Sequence, residues 1–536
     1  MRDLALVDSF GGTDADNDDI LLKAFEDHEA YQDILKFKKF LVIGKKGSGK
    51  TAIFKKIITT RADDTFSYGH TFSDYPWHFH QQQAKAGIPN DEKFTHSWKY
   101  LILISLSKII LNQDNSLPFN DESREAMSKL EAFIVDAYGS RDPDLTQVFN
   151  PQREIRLKPH FELNFKILKA GASAESISIA DLPTVIQEVN AQLMKLVLAS
   201  LNPEHKYFIA FDQLDLGFDN KADDYISRLI GLLLAGRDIN IAAKNAQVKF
   251  LVTVFLRDDI YNVLRFEDKN KITENFMSLI EWDTPRTTKT LKSLMEKRFS
   301  IVASDIDIEQ DVKWSDIFNE TREMPGHQSK YDHIKDRTYL RPRDMIKFAN
   351  SALAKFKERL NSPASNTQDD KRKIDNIDIH SARHEYSEYF LREIDDEVHK
   401  HFPEYEKFLD VLRAVGTWQF EKSTFEIVLS QIFSKSDKTP SEALEELYDY
   451  SFIGFYKAGG SGYGGSEYVF KYRDSRASFS HASTRFRIHP VLIEVLGLKK
   501  SIILSLAQLM LGFSFRGRVH KELFYPSCVY FGVIRY

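Results

Sequence analysis

The sequence predicts an α/β fold: a parallel β-sheet with helices on both faces, followed by further helical and mixed regions. Apolar runs typical of buried strands lie at residues 40–43, 207–211 and 248–256. Patterns of helical spacing separate these runs, at 52–58 and 222–237. Strands that alternate with helices form parallel sheets, because each helical crossover returns the chain to the same edge of the sheet.

A glycine-rich loop of the pattern G-x-x-x-x-G-K-T joins the first strand to the first helix. Its glycines let successive backbone N–H groups point at phosphate oxygens, and the N-terminus of the helix adds partial positive charge. The lysine of this pattern reaches the β- and γ-phosphates, and the threonine hydroxyl binds Mg²⁺. The loop therefore predicts a P-loop that binds a nucleotide triphosphate. The expected nucleotide-binding residues are Gly44, Lys45, Lys46, Gly47, Ser48, Gly49, Lys50, Thr51 and Ala52.

The second predicted strand ends at an aspartate. Asp212 follows the apolar run at 207–211 and is expected to emerge beside the P-loop, where it would hold Mg²⁺ through water. Asp215 lies three residues further on and is the candidate base that orients the attacking water, since residue 213 is a glutamine and not a glutamate. The alternative is that Asp215 only caps the segment that follows.

The third predicted strand ends at Arg257. A guanidinium fixed there would contact the γ-phosphate and report whether it is present. The alternative is a surface ion pair, for which Asp258 and Asp259 are available.

Two arginines cluster around a proline where a later helix is predicted to begin. Pro342 suits the first turn of a helix, whereas Arg341 and Arg343 have no local reason to stand together. One of them would reach phosphate from a helical lid, in its own site or in that of a neighbouring copy. The alternative is a solvated basic turn paired with Asp344 or Asp336.

The region after residue 376 has the element order of a winged helix. Helical patterns at 405–415, 425–433 and 441–448 precede strand-like segments, two of which are joined by a glycine-rich stretch. The strand-like segments are predicted at 453–457, 468–472 and 486–489, and a last helix at 490–498. The predicted domains are an ATPase core at 1–280 with an insertion at 112–180, a helical lid at 281–361, a helical and winged-helix domain at 376–498, and a tail of unknown role at 499–536.

Composition and charge exclude several classes of function and several kinds of site. The chain has 536 residues and a formal net charge of -5, which argues against wholesale coating of nucleic acid but permits one basic face. Cys528 is the one cysteine, so the chain forms no intrachain disulfide and no zinc site of several cysteines. The apolar stretch at 502–513 is shorter than the ~20 residues that span a bilayer. The start of the chain lacks the order of a signal peptide, so we expect a cytoplasmic protein without a membrane anchor.

Together these motifs resemble a group of bacterial P-loop ATPases. GKKGSGKT, YFIAFDQLD, FLVTVFLRDD and LRPRD are similar to those of the STAND and KAP type, and more closely to a family known only as P-loop ATPases and named after a cyanobacterial reading frame. The resemblance extends over residues 5–498. It implies an AAA-like core, a helical lid and a winged helix, with Lys50 and Thr51 on the nucleotide, Asp212 on Mg²⁺ and Arg257 as the sensor-strand arginine. Such proteins are often regulatory switches, several of them in bacterial conflict with phages.

The sequence thus predicts an ATP-hydrolysing switch that couples nucleotide state to assembly or to control of an effector. ATP is favoured over GTP because no N-K-x-D guanine-reading motif follows the third strand. No nuclease, protease, deaminase or TIR-like signature is present, so we expect the effector on a separate protein or in the tail. A homo-oligomer is the expected assembled form.

Two other functions fit the sequence. One is an origin-recognition-like ATPase that binds DNA through basic and aromatic residues around the wing. The alternative for these residues is a wing that contacts protein. The other is a nucleotide-locked scaffold with little turnover. The wing residues concerned are Lys457, Lys471, Arg473, Arg476, Arg485 and Arg487, interleaved with Tyr463, Tyr468 and Tyr472.

Overall fold

The chain divides into two compact units, with the boundary between Tyr386 and Ser387. Most of the predicted insertion at 112–180, and the tail from residue 500 onward, lie outside the residues that the structure describes. The computed structural model describes residues 3–71, 90–114, 118–144, 148, 182–215, 223–285, 287–303, 311–361, 372–399, 402–433, 438–459, 465–474 and 476–499.

A five-stranded sheet, parallel throughout and flanked by helices, forms the centre of the first unit. Its strand order is β2-β3-β4-β1-β5, so β4 separates β1 from β3. The strands are β1, Leu41–Gly44; β2, Thr65–Thr71; β3, Lys206–Asp212; β4, Lys249–Arg257; and β5, Met277–Leu279. Because the strands are parallel, their carboxyl ends meet at one edge, and Gly44 at the end of β1 is in register with Arg257 at the end of β4. The predicted α/β class is confirmed.

Nearly continuous apolar sequence makes β3 and β4 the buried centre of this sheet. All residues of β3 after Lys206 are buried, and so are those of β4 between its two end residues. A strand covered on both faces needs apolar side chains at every position and loses the alternation of a half-exposed strand. The first polar side chain that follows each run therefore marks the sheet edge.

Twelve helices of the described residues surround the sheet or follow it in this unit. They are α1, Glu29–Leu35; α2, Lys50–Thr59; α3, Asn90–Asn112; α4, Asp121–Tyr138; α5, Leu182–Ser200; α6, Asp223–Asn245; α7, Asp258–Val263; α8, Lys269–Phe276; α9, Leu291–Ala303; α10, Trp314–Ile317; α11, Lys330–Lys335; and α12, Pro342–Asn361. The unit boundary falls within the next helix, α13, Asn376–Val398. Short 3-10 helices at Leu4–Leu6 and Ala15–Asn17 precede them.

The core of the first unit centres on α3. Its apolar residues Trp98, Leu101, Ile102 and Ile109 are all 0% exposed. The Trp98 indole N–H donates to the carbonyl oxygen of Arg228 on α6 at 2.9 Å, which satisfies its one polar atom inside the core.

The second unit combines helices with an antiparallel sheet of order β6-β9-β7-β8. Its elements are α14, Tyr405–Val415; β6, Gln419–Glu421; α15, Lys422–Ile432; α16, Pro440–Asp449; β7, Ile453–Lys457; β8, Glu467–Val469; β9, Arg485–Ile488; and α17, Leu492–Val495. A capping box between Thr439 and Glu442, with Pro440 in the first turn, begins α16.

Several predicted boundaries in this unit were wrong. β8 ends at Val469 and not at residue 472, because the chain turns there and the Arg473 amide donates to the Phe470 carbonyl. The predicted helix at 490–498 shortens to α17, since Gly497 adopts a left-handed φ of 66° and ends it. Strand β6, which has three residues, was not predicted.

In the part of the chain that the structure describes, no helix has both the length and the apolar character needed to cross a membrane.

Candidate functional site

The loop between β1 and α2 has the backbone that its glycines predict. Gly47 and Gly49 lie in the left-handed region, at φ 74° and 108°, where a side chain is disfavoured. A Cβ placed on Gly44 would lie 2.4 Å from the Ser48 hydroxyl oxygen, so a side chain there would require the hydroxyl to rotate away. The loop is therefore a tight turn that leads directly into the first turn of α2.

Lys50 points back into the loop. Its ammonium group donates to the carbonyl oxygens of Gly44 at 2.8 Å and Lys45 at 2.9 Å. Burial lowers the pKa of Lys50, while the negative charges of Asp212, Asp258 and, less strongly, Asp215 act to raise it. Phosphate oxygens can replace these carbonyl oxygens as partners of Lys50. Carbonyl and phosphate oxygens both accept hydrogen bonds, and phosphate also carries negative charge.

Asp212 is buried beside the loop, with 2% of its surface exposed. Burial raises the pKa of its carboxyl group, and hydrogen bonds from the Thr51 hydroxyl and the Gln213 backbone N–H oppose that rise. Its Oδ2 accepts no hydrogen bond from the described residues. A buried carboxylate oxygen without a donor, next to a hydroxyl, fits the hard oxygen ligands that Mg²⁺ prefers.

A metal bound here would take most of its ligands from outside the protein. Among the described residues, no group of three or more His, Cys, Asp or Glu side chains is placed to hold an ion. Mg²⁺ is commonly held by only one or two protein oxygens, together with substrate phosphates and water. Thr51 and Asp212 would be those protein ligands.

The guanidinium of Arg257 connects two aspartates at the same sheet edge. It donates to both carboxylate oxygens of Asp259, at 3.0 and 2.6 Å, and to Asp215 Oδ2 at 3.2 Å. The structure thus contains an ion pair between Arg257 and Asp259, which the sequence offered as the alternative to a γ-phosphate contact. It also brings Arg257 to Asp215, a contact that the sequence did not indicate.

Arg341 lies between the P-loop and its own helix. Its side chain is 2% exposed, and Nε donates to Asp344 Oδ2 at 2.9 Å while Nη1 donates to the Lys46 carbonyl at 3.2 Å. The Asp344 side chain is 0% exposed and also accepts from the Tyr339 backbone N–H at 3.0 Å. The pair with Asp344 is therefore real, but it is buried against the P-loop and is not a solvated turn.

Pro342 and Arg343 complete this contact. Pro342 is the first residue of α12, as predicted. The Arg343 backbone N–H faces the Gly47 carbonyl at 3.5 Å, and a Cβ on Gly47 would lie 3.0 Å from that of Arg343. The Arg343 Nε donates to the Thr13 carbonyl at 3.1 Å. Both arginines thus reach the P-loop region of their own chain, through backbone oxygens.

The residues next to Asp212 and Arg341 have strained backbone conformations. Gln213, directly after Asp212, has φ 59°, and Leu340, directly before Arg341, has φ 54°. Residues with a Cβ rarely adopt this left-handed conformation, and leucine has no side-chain polar group to support it. The surrounding fold holds both, which is common near functional sites.

Two supporting residues gave no signal as a site in the sequence. The Trp282 indole N–H donates to the Ser48 carbonyl at 2.9 Å and so fixes the middle of the loop. The His28 ring packs against that indole at 5.0 Å, and its Nε2 donates to the Glu281 carbonyl, because Nδ1 accepts from the Ala30 amide. Only the spatial proximity of α1 and the segment after β5 reveals them.

Residues 289–395 match a family model described as the FunZ-associated C-terminal helical domain. The match runs from just before α9 into α13 and includes Arg341, Pro342 and Arg343. It leaves outside the P-loop, Asp212 and the part of the second unit that follows residue 395. No curated protein matches the chain.

Proposed function

We propose that the chain binds and hydrolyses ATP with Mg²⁺ and acts as a regulatory switch. The observation that carries the proposal is the buried Asp212 carboxylate, which has one oxygen without a donor and a hydrogen bond from Thr51, beside a loop whose lysine donates to backbone carbonyls. A structural ion pair would have left Asp212 with a cationic partner. A phosphate clamp leaves these groups for a ligand.

Lys50 and the loop amides would bind the phosphates. In exchanging the Gly44 and Lys45 carbonyls for phosphate oxygens, Lys50 gains a charged partner in a partly desolvated place, where the interaction is strong. Thr51 and Asp212 would hold Mg²⁺, which when bound neutralises charge on the β- and γ-phosphates. The cleaved bond is the β–γ phosphoanhydride.

Asp215 and Arg257 would act on the γ-phosphate side. Asp215 is the candidate base that orients the attacking water, and the Arg257 guanidinium holds its carboxylate in place at 3.2 Å. Arg257 would report the γ-phosphate by exchanging one of its two aspartate partners for a phosphate oxygen. Hydrolysis then returns the arginine to its original pair.

The contact between α12 and the P-loop would couple nucleotide state to the lid. Arg341 bonds the Lys46 carbonyl and Arg343 packs on Gly47, so a loop that rearranges around phosphate must move the start of α12 or break these bonds. The lid position would then control assembly into a homo-oligomer, or control an effector carried on a separate protein.

The proposed family type and biological role rest on the sequence resemblance to bacterial P-loop ATPases and on two features of the fold. The sheet order places β4 between the P-loop strand and the Asp212 strand, which supports an AAA-like core. Helices α14, α15 and α16 followed by a short antiparallel sheet support a winged helix. We propose a cytoplasmic bacterial protein of the STAND and KAP type that takes part in anti-phage defence.

A phosphate-release assay tests the ATPase. We expect turnover in the parent with Mg²⁺ and ATP, loss of ATP binding in Lys50→Ala, and loss of turnover in Asp212→Asn and Asp215→Asn. Asp121→Asn, at a fully exposed position at the start of α4, is the matched control and should retain activity. Turnover in the parent that survives in Asp212→Asn would reject the assigned site. ATP binding without turnover in the parent would support the locked scaffold.

Size-exclusion chromatography tests the switch separately. We compare the parent with Lys50→Ala, each with and without ATP. The proposal expects an ATP-dependent change in elution in the parent only. Identical elution of all four samples would argue against nucleotide-driven assembly, even if the ATPase assay is positive.

A further inference from the structure

One face of the antiparallel sheet in the second unit is aromatic and cationic. Strand alternation directs Phe420, Phe455 and Phe486 to the buried face. The opposite face carries a set that we call the arginine–aromatic face, whose members lie on β7, β8 and β9, except for the tryptophan, which directly precedes β6 and contacts Arg487. Its residues are Trp418, Tyr456, Tyr468, Arg485 and Arg487.

The side chains of this face stack on one another across the sheet. The Arg487 guanidinium lies 4.4 Å from the centre of the Trp418 ring and 5.9 Å from that of Tyr468. Tyr468 is opposite Tyr456, with ring centres 5.4 Å apart, and the Arg485 guanidinium lies 4.9 Å over the Tyr456 ring. The result is a row of flat rings and flat cations across three strands, extended by the tryptophan that precedes β6.

Gly454 lies beside this row. It stands opposite Arg487 in the register, and a Cβ there would lie 2.8 Å from the Phe470 ring, which covers this position. Phe470 and His489, further along, are both buried and close that end of the sheet. The open part of the face is therefore the end that carries the two tyrosines and the two arginines.

The face is accessible and carries a positive balance. The Arg485 side chain is 56% exposed, and the three rings and Arg487 are half-buried. Lys457 is exposed at the end of β7, while the acids present are Glu421, which lies 3.6 Å from Arg485, and Glu467, opposite Lys457. Strand alternation directs Lys457 and Glu467 away from Tyr456, so on this face two arginines stand against one carboxylate, that of Glu421, in a chain whose formal net charge is -5.

We propose that the arginine–aromatic face binds single-stranded nucleic acid. Unpaired bases stack on aromatic rings and on guanidinium planes, and the cations contact the phosphates. A duplex covers its base faces and cannot use such a row. Tryptophan, tyrosine and arginine also form protein hot spots, but those lie in water-excluding pockets and not on an open, half-exposed sheet face with no aliphatic member.

This surface differs from the basic wing that the sequence predicted. Tyr472 is buried, Tyr463 lies outside the described residues, and Lys471 donates to the Ala477 carbonyl at 2.9 Å. Arg485 and Arg487 remain, but on a flat stacking face and not on a hairpin tip. The expected ligand is therefore a single strand.

Fluorescence anisotropy with the full chain tests the proposal. The probes are labelled oligo-dT and oligo-U of about 16 nucleotides, a length that one binding surface of this kind spans, and a duplex of equal length. We expect the single strands to bind at least about tenfold more tightly than the duplex, at low and at moderate salt. Unlabelled ATP should not compete, because one base occupies only part of the row.

Paired substitutions identify the face. Tyr456→Leu and Tyr468→Leu keep bulk but remove a ring, and each should weaken binding by about fivefold or more. Phe119→Leu, which changes a 43% exposed ring in the first unit, is the matched control. Arg485→Ala should weaken binding, whereas Arg413→Ala, at a comparably exposed arginine of α14, should not. Lys50→Ala should bind normally, which separates this surface from the proposed ATP site.

Ultraviolet crosslinking to the labelled single strand provides an independent readout, since crosslinked peptides should contain Trp418, Tyr456 or Tyr468. The proposal is overturned by absence of single-strand binding at low salt, by equal affinity for duplex, or by Tyr456→Leu and Tyr468→Leu variants that bind like the parent. A crosslinker at residue 468 that joins two copies of the chain, without nucleic acid, would identify a protein interface instead.

Discussion

The P-loop edge of the first unit and the arginine–aromatic face of the second both hold cations, but with different partners. Lys50 and Arg341 lie inside the protein against backbone carbonyls, and Arg341 also has a buried aspartate. Arg485 and Arg487 lie on aromatic rings near solvent. A buried cation loses its hydration and depends on each partner, whereas a cation on an open ring keeps part of its hydration.

The difference predicts where single substitutions matter. At the P-loop edge, loss of one group leaves another buried and unsatisfied, so effects on the free energy of unfolding should be large. On the arginine–aromatic face, single substitutions should change the free energy of unfolding little and should mainly weaken ligand binding.

Arg341→Ala should give the largest loss of stability. It leaves the Asp344 carboxylate buried without its cation, and breaking such a pair costs about 3–5 kcal/mol. Denaturant unfolding measures the change. The double variant Arg341→Ala with Asp344→Ala should recover part of the loss. Arg343→Ala, which removes a donor to the Thr13 carbonyl, is the matched control and should lose about 1 kcal/mol or less. Equal losses at both arginines would contradict the comparison.

Gly47→Ala should have an intermediate effect. It combines a φ of 74° with a Cβ 3.0 Å from that of Arg343, and we expect a loss of about 2 kcal/mol. Gly326 has a similar φ of 87°, but a Cβ there would have no atom within 4 Å. Gly326→Ala therefore measures only the cost of the backbone conformation, about 1 kcal/mol. Thermal unfolding compares the two, and ATP affinity should fall in Gly47→Ala alone.

Asp212→Asn should stabilise the nucleotide-free protein while it abolishes turnover. Because burial raises the pKa of Asp212 in the fold, the folded state holds its proton more tightly, and ionisation costs stability as the pH rises through the folded pKa. The variant should therefore gain about 1 kcal/mol at neutral pH and lose that advantage in acid, near the ordinary aspartate pKa of about 4. Melting temperatures of parent and variant across this range measure it. A destabilised variant at neutral pH would reject a buried, uncompensated carboxylate.

Arg485→Ala should change the free energy of unfolding least, by less than about 1 kcal/mol, since exposed cation–π pairs contribute little. Denaturant unfolding beside Arg413→Ala measures this. A loss as large as that of Arg341→Ala would mean that the row of rings and guanidinium groups holds the second unit together.

Local patterns predicted the elements that stand close together in the chain. The apolar run before Asp212 buries its strand, the glycines of the P-loop require their backbone angles, and Pro342 begins its helix. Each of these depends on a few neighbouring residues. Boundaries were missed in the second unit, where β6 and β8 have three residues each and pairing with distant strands decides their ends.

The sequence by itself determined that a P-loop, an aspartate at a strand end and an arginine at a neighbouring strand end would meet, because parallel strands bring their carboxyl ends to one edge. Only the tertiary structure decided the partners of the arginines. Arg257 joins Asp215 to Asp259, Arg341 reaches the Lys46 carbonyl, and Arg487 lies between two rings. A long, flexible cation has many acceptors within reach, and the choice among them depends on which groups folding brings near and removes from water.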